Sequence, residues 1–185
     1  RGLVSPTTEY SSKEERIKGG YVMYPKPGIY HDVLVLDFKS LYPSIIKSFN
    51  IDPSSFVEKK ENNVITAPNG AMFKNQQGIL PDIISKLHIA REKAKKDKRE
   101  LASYAIKIIM NSFFGVLANP NCRYFSLEMA NAITHFAQYI IKLTAQKIEE
   151  KGYENKYQRG PAPARRRRRR VALTRACDHP HRRTD

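Results

Sequence analysis

The sequence predicts an α+β fold, with short strands first and long helices after them. Three observations carry that prediction. The run Val33-Leu34-Val35-Leu36 is apolar at consecutive positions and too short for a helix, so Asp32 to Phe38 reads as a buried strand. Apolar or small residues recur at Ala130, Ile133, Ala137, Ile140, Ile141, Thr144 and Ile148, a helical stripe about 100° wide that reads as core. Two further helical stretches, Pro81 to Lys98 and Arg99 to Leu117, have little between them and should fold back as an antiparallel hairpin.

The other elements follow in chain order. Gly20 to Tyr24 reads as a first short strand, and Pro25-Lys26-Pro27-Gly28 supplies the turn after it. Pro43 suits the first turn of a short helix, where the N–H that it lacks would have no helical partner anyway. Asn62 to Gly78 mixes Asn, Gly and Pro without periodicity and reads as loop. The last long helix should begin near Ser126 and stop at Gly152. No internal repeat is visible.

Composition narrows the classes. With 185 residues the chain can form one domain or parts of two. It begins at Arg1 without an initiator Met and is expected to be an excerpt of a longer chain. No uninterrupted apolar run approaches the ~20 residues that span a bilayer, and no secretory signal pattern opens the sequence. Membrane association is therefore not expected. Cys122 and Cys177 form no spaced pattern, which argues against a disulfide framework or a metal knuckle. Cys122 reads as a small buried residue. The five histidines form no ligand cluster, and His88 and His135 read as packed or solvated helix residues.

The net charge of +15 is unevenly spread. Arg159 to Asp185 holds ten Arg and two Asp, a net +8, and the other 158 residues carry +7. A surplus of that size suits a surface that faces phosphates. Composition breaks near Tyr157, from Lys, Ile, Asn, Tyr and Phe to Arg, Ala, Pro and Gly, including the run Arg165 to Arg170. That run reads either as a nucleic-acid-binding tail or as a frameshift or cloning junction. Without apolar periodicity, no fold is expected there.

The segment Asp37-Phe38-Lys39-Ser40-Leu41-Tyr42-Pro43-Ser44-Ile45-Ile46 places a carboxylate where an apolar strand passes into a turn and helix. Such an Asp can hold a hard cation such as Mg²⁺. The amides near Ser40 and Leu41 sit where a chain entering a helix offers donors to an anion. An isolated strand-end Asp beside a core Tyr would explain the same residues without any ligand. Further on, Lys107, Asn111, Phe114 and Gly115 share one helix face, with Ala105, Ile108, Ile109 and Ser112 across the helix for packing. Lys107 can neutralise phosphate as a point charge, and Gly115 permits close approach of a base pair or backbone. Arg91 and Lys95, at i and i+4, can grip a triphosphate from the preceding helix. Lys93, Lys96, Lys98 and Arg99 read as a solvated face.

The decapeptide resembles the first palm motif of family B DNA polymerases, Asp-x-x-Ser-Leu-Tyr-Pro-Ser-Ile-Ile, at every specified position. Lys107-x-x-x-Asn111-Ser112-x-Phe114-Gly115 is similar to the fingers motif of that family, with Phe114 in place of the usual Tyr. The similarity runs from about Gly19 to Tyr153, and its ordering is nearest to the bacterial DNA polymerase II branch. The resemblance implies a partial palm, an antiparallel sheet plus helices, carrying a helical-hairpin fingers subdomain. Residues 1–77 would be the first part of the palm, 78–118 the fingers, 119–157 the palm helix region, and 158–185 a tail foreign to the family.

The resemblance also implies an activity: template-directed addition of deoxynucleotides to a primer 3′ end by two-metal-ion nucleotidyl transfer. Asp37 would be a catalytic metal ligand assisted by the Phe38 carbonyl, with two Mg²⁺ ions in the complete enzyme. Ser40, Leu41, Arg91, Lys95, Lys107 and Asn111 would bind the nucleotide, with Lys107 a candidate proton donor. Tyr42 would lie beneath the sugar and exclude a ribose 2′-hydroxyl, while Phe114 and Gly115 would contact primer-template. Expected partners are primer-template DNA, deoxynucleoside triphosphates and, through regions not in this chain, a sliding clamp. A bacterial source would place the protein at the nucleoid in the cytoplasm. The segment expected to carry the family's second catalytic aspartate departs from the motif at Asn155-Lys156-Tyr157-Gln158-Arg159, so the chain alone should be inactive. Two rival readings are a non-catalytic basic nucleic-acid-binding module and a protein-interaction fragment. A binding module needs no metal carboxylate, so Asp37 discriminates them.

Overall fold

The structure, a computed structural model, describes residues 7, 17, 19–21, 23–25, 27–59, 62–155, 157–159 and 170–175. It divides into two compact units, one formed by Arg1–Gly20 with Lys39–Tyr139 and the other by Tyr21–Phe38 with Ile140–Asp185. Together they hold helices and small antiparallel sheets, as an α+β fold requires.

The first unit begins with α1 (Leu41–Ser48), which enters through Ser40 in the left-handed conformation at φ 51, ψ 53. A non-glycine residue held there costs on the order of 1–3 kcal/mol. Ser44 offsets that cost from the first turn. Its N–H donates to the Ser40 carbonyl at 2.9 Å and its Oγ to the Lys39 carbonyl at 3.2 Å. Pro43 occupies the third helical position, within the turn where its missing donor costs nothing. Ile45 and Ile46 are fully buried.

Next come β3 (Phe56–Val57), β4 (Val64–Thr66) and β5 (Met72–Lys74), an antiparallel sheet in the order β3-β5-β4. The loop expected over 62–78 is therefore corrected to a hairpin. Gly70, at φ +88, closes its turn by donating to the Ala67 carbonyl at 2.8 Å, and the Ala67 N–H donates to Ala71 at 2.7 Å. Strands of three residues are too short to show alternation, so Pro68-Asn69-Gly70 looked like loop when it is hairpin chemistry.

Helices α2 (Ile79–Lys96) and α3 (Glu100–Ala118) form the expected hairpin. Lys98, at φ 54, lets the chain reverse, and the Arg99 N–H reaches back to the Ala94 carbonyl at 2.8 Å. By length and composition α3 is apolar enough to cross a membrane, which corrects the run-length expectation. A scan for uninterrupted apolar residues is broken by Ser103, Lys107 and Asn111, although the mean hydropathy remains high. In this fold α3 packs along α2 instead. A second correction concerns its outer face: Ala105, Ile108, Ile109 and Ser112 are exposed rather than packed. The helices that contact α3 lie on other faces, where Ser103, Met110 and Leu117 are buried.

Helix α4 (Leu127–Glu149) starts where the sequence indicated, with Ser126 Oγ accepting the Met129 N–H at 3.3 Å. Gly152, at φ +80, follows its end. In the first unit Ala130, Ile133 and Ala137 are buried, and Phe136 stacks on Phe49 with centroids 3.8 Å apart. In the second unit the stripe continues through buried Ile141. Cys122 is half-buried rather than buried.

The second unit also holds two small sheets. β1 (Met23–Pro25) pairs antiparallel with β7 (Tyr157–Arg159). β2 (Val33–Asp37), β8 (Arg170–Arg175) and β6 (Tyr153–Asn155) pair antiparallel in the order β2-β8-β6. Two expectations are corrected here. The run Val33–Leu36 is a strand but not a buried one, with exposures of 39–55%. An apolar run on both faces suits a strand covered on both sides, and no such cover lies over β2 among the described residues. Regular structure also enters the segment after 157, where none was expected. A strand such as β2 presents unpaired N–H and C=O groups at its edges, and Val171-Ala172-Leu173-Thr174 is the stretch of the tail suited to pair with them. The run 165–169 and Cys177 lie outside the described residues.

Candidate functional site

The hairpin is rooted on a buried polar hub. Asn50, in the left-handed conformation, donates from Nδ2 to the carbonyls of Lys74 and Gln76, and its Oδ1 accepts the Gly78 N–H at 2.8 Å. Asp52, 1% exposed, accepts the Leu80 N–H on Oδ1 at 2.8 Å and the Ser54 N–H on Oδ2 at 2.9 Å. The hub thereby supplies partners to first-turn donors of α2, which have none within the helix. Gly78 is required there, because a Cβ would lie 2.6 Å from the Asp52 Cβ. Sequence reading missed this hub, although Asn50-Ile51-Asp52-Pro53 after a helix is a local turn signal.

Held in this way, α2 and α3 face each other across a cleft of about 660 Å³. Arg91, Lys95 and Lys107 all line it, so three of the expected nucleotide ligands converge. Arg91 Nη1 donates to Ser40 Oγ at 3.3 Å, which joins α2 to the turn before α1. Its Nε is buried with no hydrogen-bond partner. A buried donor left unsatisfied costs about 1–3 kcal/mol. Lys107 is exposed.

Lys95 is engaged otherwise. Glu92 Oε1 accepts from Lys39 Nζ at 2.7 Å and from Lys95 Nζ at 3.2 Å. Lys39 and then Lys95 hold the Glu92 carboxyl down at about 2. Neither Glu92 nor Lys39 was singled out from sequence, yet Glu92 stands three residues before Lys95, the spacing of a helical ion pair. The basic surroundings reach His88, which burial and then Lys47, Lys39 and Arg91 push below the ordinary histidine range.

The other expected ligands are distributed more loosely. Leu41 opens α1, so its N–H has no intrahelical acceptor. Tyr42 packs against Phe114 with ring centroids 4.6 Å apart. Asn111 is exposed on α3 and does not line the cleft. Gly115 is also exposed, and a Cβ there would meet nothing within 4 Å. Asp37 ends β2 in the second unit with its side chain exposed, and Phe38 follows it half-buried.

The residues fit a metal only in part. Asp37 offers one hard oxygen ligand, but no group of three His, Cys, Asp or Glu able to hold an ion occurs among the described residues. Asp37 stands in register with Arg170, so its nearest position on β8 brings no second carboxylate.

Four basic residues, Arg91, Lys95, Lys98 and Lys107, thus line one cleft of a small α+β fold. Comparison with known proteins supplies the family. The sequence model of DNA polymerase family B matches residues 1–172. DNA polymerase II of Escherichia coli (strain K12) is 42% identical over 140 residues, covering 74% of this chain and 18% of that protein. A DNA polymerase of Desulfurococcus sp. (strain Tok) is 33% identical over 156 residues, 77% of this chain and 20% of its own. Among solved structures, the family B DNA polymerase of the hyperthermophilic archaeon Pyrobaculum calidifontis superposes with a TM-score of 0.68 at 26% identity, covering 93% of this chain and 24% of that one. This chain belongs to DNA polymerase family B. It spans about a fifth of the length of the curated relatives it matches.

Proposed function

We propose that this chain is the palm and fingers portion of a template-directed DNA polymerase, and that the α2–α3 cleft receives the triphosphate of the incoming deoxynucleotide. The convergence of Arg91, Lys95 and Lys107 on one cleft carries the reading. The primer 3′-hydroxyl gives up its proton to solvent as its oxygen forms a bond to the α-phosphorus, the bond from that phosphorus to the bridging oxygen breaks, and pyrophosphate leaves. Arg91 and Lys95 from α2 and Lys107 from α3 offset the charge that grows on the leaving group, with Lys107 its proton donor in this reading. Fixed cations of this kind act by position, without reorganising during the reaction. Ser40 and Leu41 offer further donors to the phosphates, and Asn111 orients the nucleotide.

Divalent metal use is general in this family, and we take the ions to be two Mg²⁺ that supply Lewis-acid stabilisation, with Asp37 and the Phe38 carbonyl as ligands and a second carboxylate from outside the described residues. Tyr42 screens the sugar, while Phe114 and Gly115 face primer-template. A sliding clamp, and a nucleoid location for a bacterial source, belong to the same reading.

The test uses a full-length polymerase carrying this segment. Asp37→Ala is expected to abolish primer extension with Mg²⁺ while leaving primer-template binding within a fewfold. Extension that persists would remove Asp37 from metal binding and, with it, most of the mechanism proposed here.

A further inference from the structure

The cleft extends past the three cations that the triphosphate reading uses. Toward the Asp97-Lys98-Arg99 turn it is also lined by Lys98, Tyr104 and Leu101, with Glu100 as its one carboxylate. Arg91 and Lys95 stand one turn apart on α2, and Lys98 follows in the turn after the helix, so all three basic side chains line the cleft. On α3, Lys107 stands one turn from Tyr104 on the turn side and two turns from Phe114 on the root side. Tyr104 therefore lines the cleft at its turn end, and Phe114 lies on α3 beyond the residues that line it. At the root the rings are Tyr42 and Phe114, packed on each other. At the turn end Tyr104 stands 62% exposed beside Leu101, 87% exposed. A solvated lysine face explains the charges but gives no reason for an uncovered ring over them. Cations that follow phosphates next to a ring on which a base can stack are the elements of a nucleotide site, and the cleft volume lies in the range of small-molecule sites.

We propose that the turn end of the cleft is a second nucleotide subsite, in which a nucleoside triphosphate lies with its base on Tyr104 and its phosphates on Lys98, Lys95 and Lys107. The inference rests on the triphosphate reading of the cleft. Glu100 disfavours a phosphate at its own position and accepts from a base amino group or a sugar hydroxyl. Both orientations use Lys95 and Lys107, so they exclude one another. A nucleotide held on Tyr104 waits outside the reactive position, and it must reverse to bring its sugar to Tyr42.

The experiment is calorimetric titration of the full 185-residue chain with two probes, dATP and 2-deoxyribose 5-triphosphate, which carries the phosphates but no base. The Arg-rich segment binds both alike, so the reading is their affinity ratio. dATP is expected to bind roughly tenfold more tightly. Tyr104→Leu should bring the ratio to about one, and Tyr139→Leu, which alters an exposed tyrosine on α4, should leave it unchanged. A ratio that survives Tyr104→Leu, or that disappears in Tyr139→Leu, overturns the subsite while leaving the triphosphate reading intact. If the double variant Arg91→Ala, Lys107→Ala keeps the parent's affinity ratio, the cleft reading falls and the subsite with it.

Discussion

The rings of Tyr42 on α1 and Phe114 on α3 meet with centroids 4.6 Å apart, tilted by 49°. The contact ties the residue proposed to screen the sugar to a helix of the fingers hairpin. Since position 114 is Phe, its side of the contact carries no hydroxyl and meets Tyr42 by ring packing. Such a pair contributes about 0.5–1.5 kcal/mol beyond burial.

In a full-length polymerase carrying this segment, Tyr42→Ala should raise ribonucleotide incorporation more than it lowers deoxynucleotide use. Phe114→Ala should do the same more weakly, by up to about tenfold in the ratio of the two kcat/KM values. An unchanged ratio in both variants would leave Tyr42 a plain core tyrosine.

Loss of a charged hydrogen-bond donor from the cleft should act on the nucleotide rather than on DNA. Arg91→Ala and Lys107→Ala are each expected to lower kcat/KM for deoxynucleotide by about 10–100-fold. Primer-template affinity, measured at fixed ionic strength, should change by less than about threefold. A larger loss of DNA affinity than of nucleotide use would place the two residues on the duplex instead.

The hub beneath α2 predicts a stability effect with no chemistry attached. Asp52→Ala strands the buried Leu80 N–H and should cost at least ~2 kcal/mol. Gly78→Ala forces the Asp52 side chain aside. Thermal melting of the chain by far-UV circular dichroism should show both variants roughly 5 °C or more below the parent. Parent-like melting of Asp52→Ala would mean that the hub is dispensable.

The Glu92 carboxyl should titrate near 2, well below an ordinary glutamate, when followed by carbon-detected NMR. Lys39→Ala should move the midpoint upward, since Lys39 is the larger cause and Lys95 the smaller. A carboxyl lowered by folding contributes stability that is present above its unfolded value near 4.5 and is lost as pH falls through about 2. A midpoint near 4.5 in the parent chain would dissolve the Lys39–Glu92–Lys95 cluster.

What the sequence determined by itself was local. Helices α2, α3 and α4 were legible because apolar periodicity and the capping residues Ser126 and Gly152 act within a few residues of chain. The family was legible for a related reason: Asp37 to Ile46 and Lys107 to Gly115 are contiguous segments whose order alone carries the resemblance. Tertiary structure decided what depends on distant partners. That Asn50 and Asp52 would hold the first turn of α2, that Glu92 would take Lys39 as well as Lys95, and that Tyr104 would share a cleft with Arg91 are meetings between residues separated by 13 to 53 positions, which periodicity does not encode. Burial of β2 failed for the same physical reason. An apolar strand records the cover it is suited to, but exposure depends on which layers pack against it, and none lies over Val33–Leu36 among the described residues.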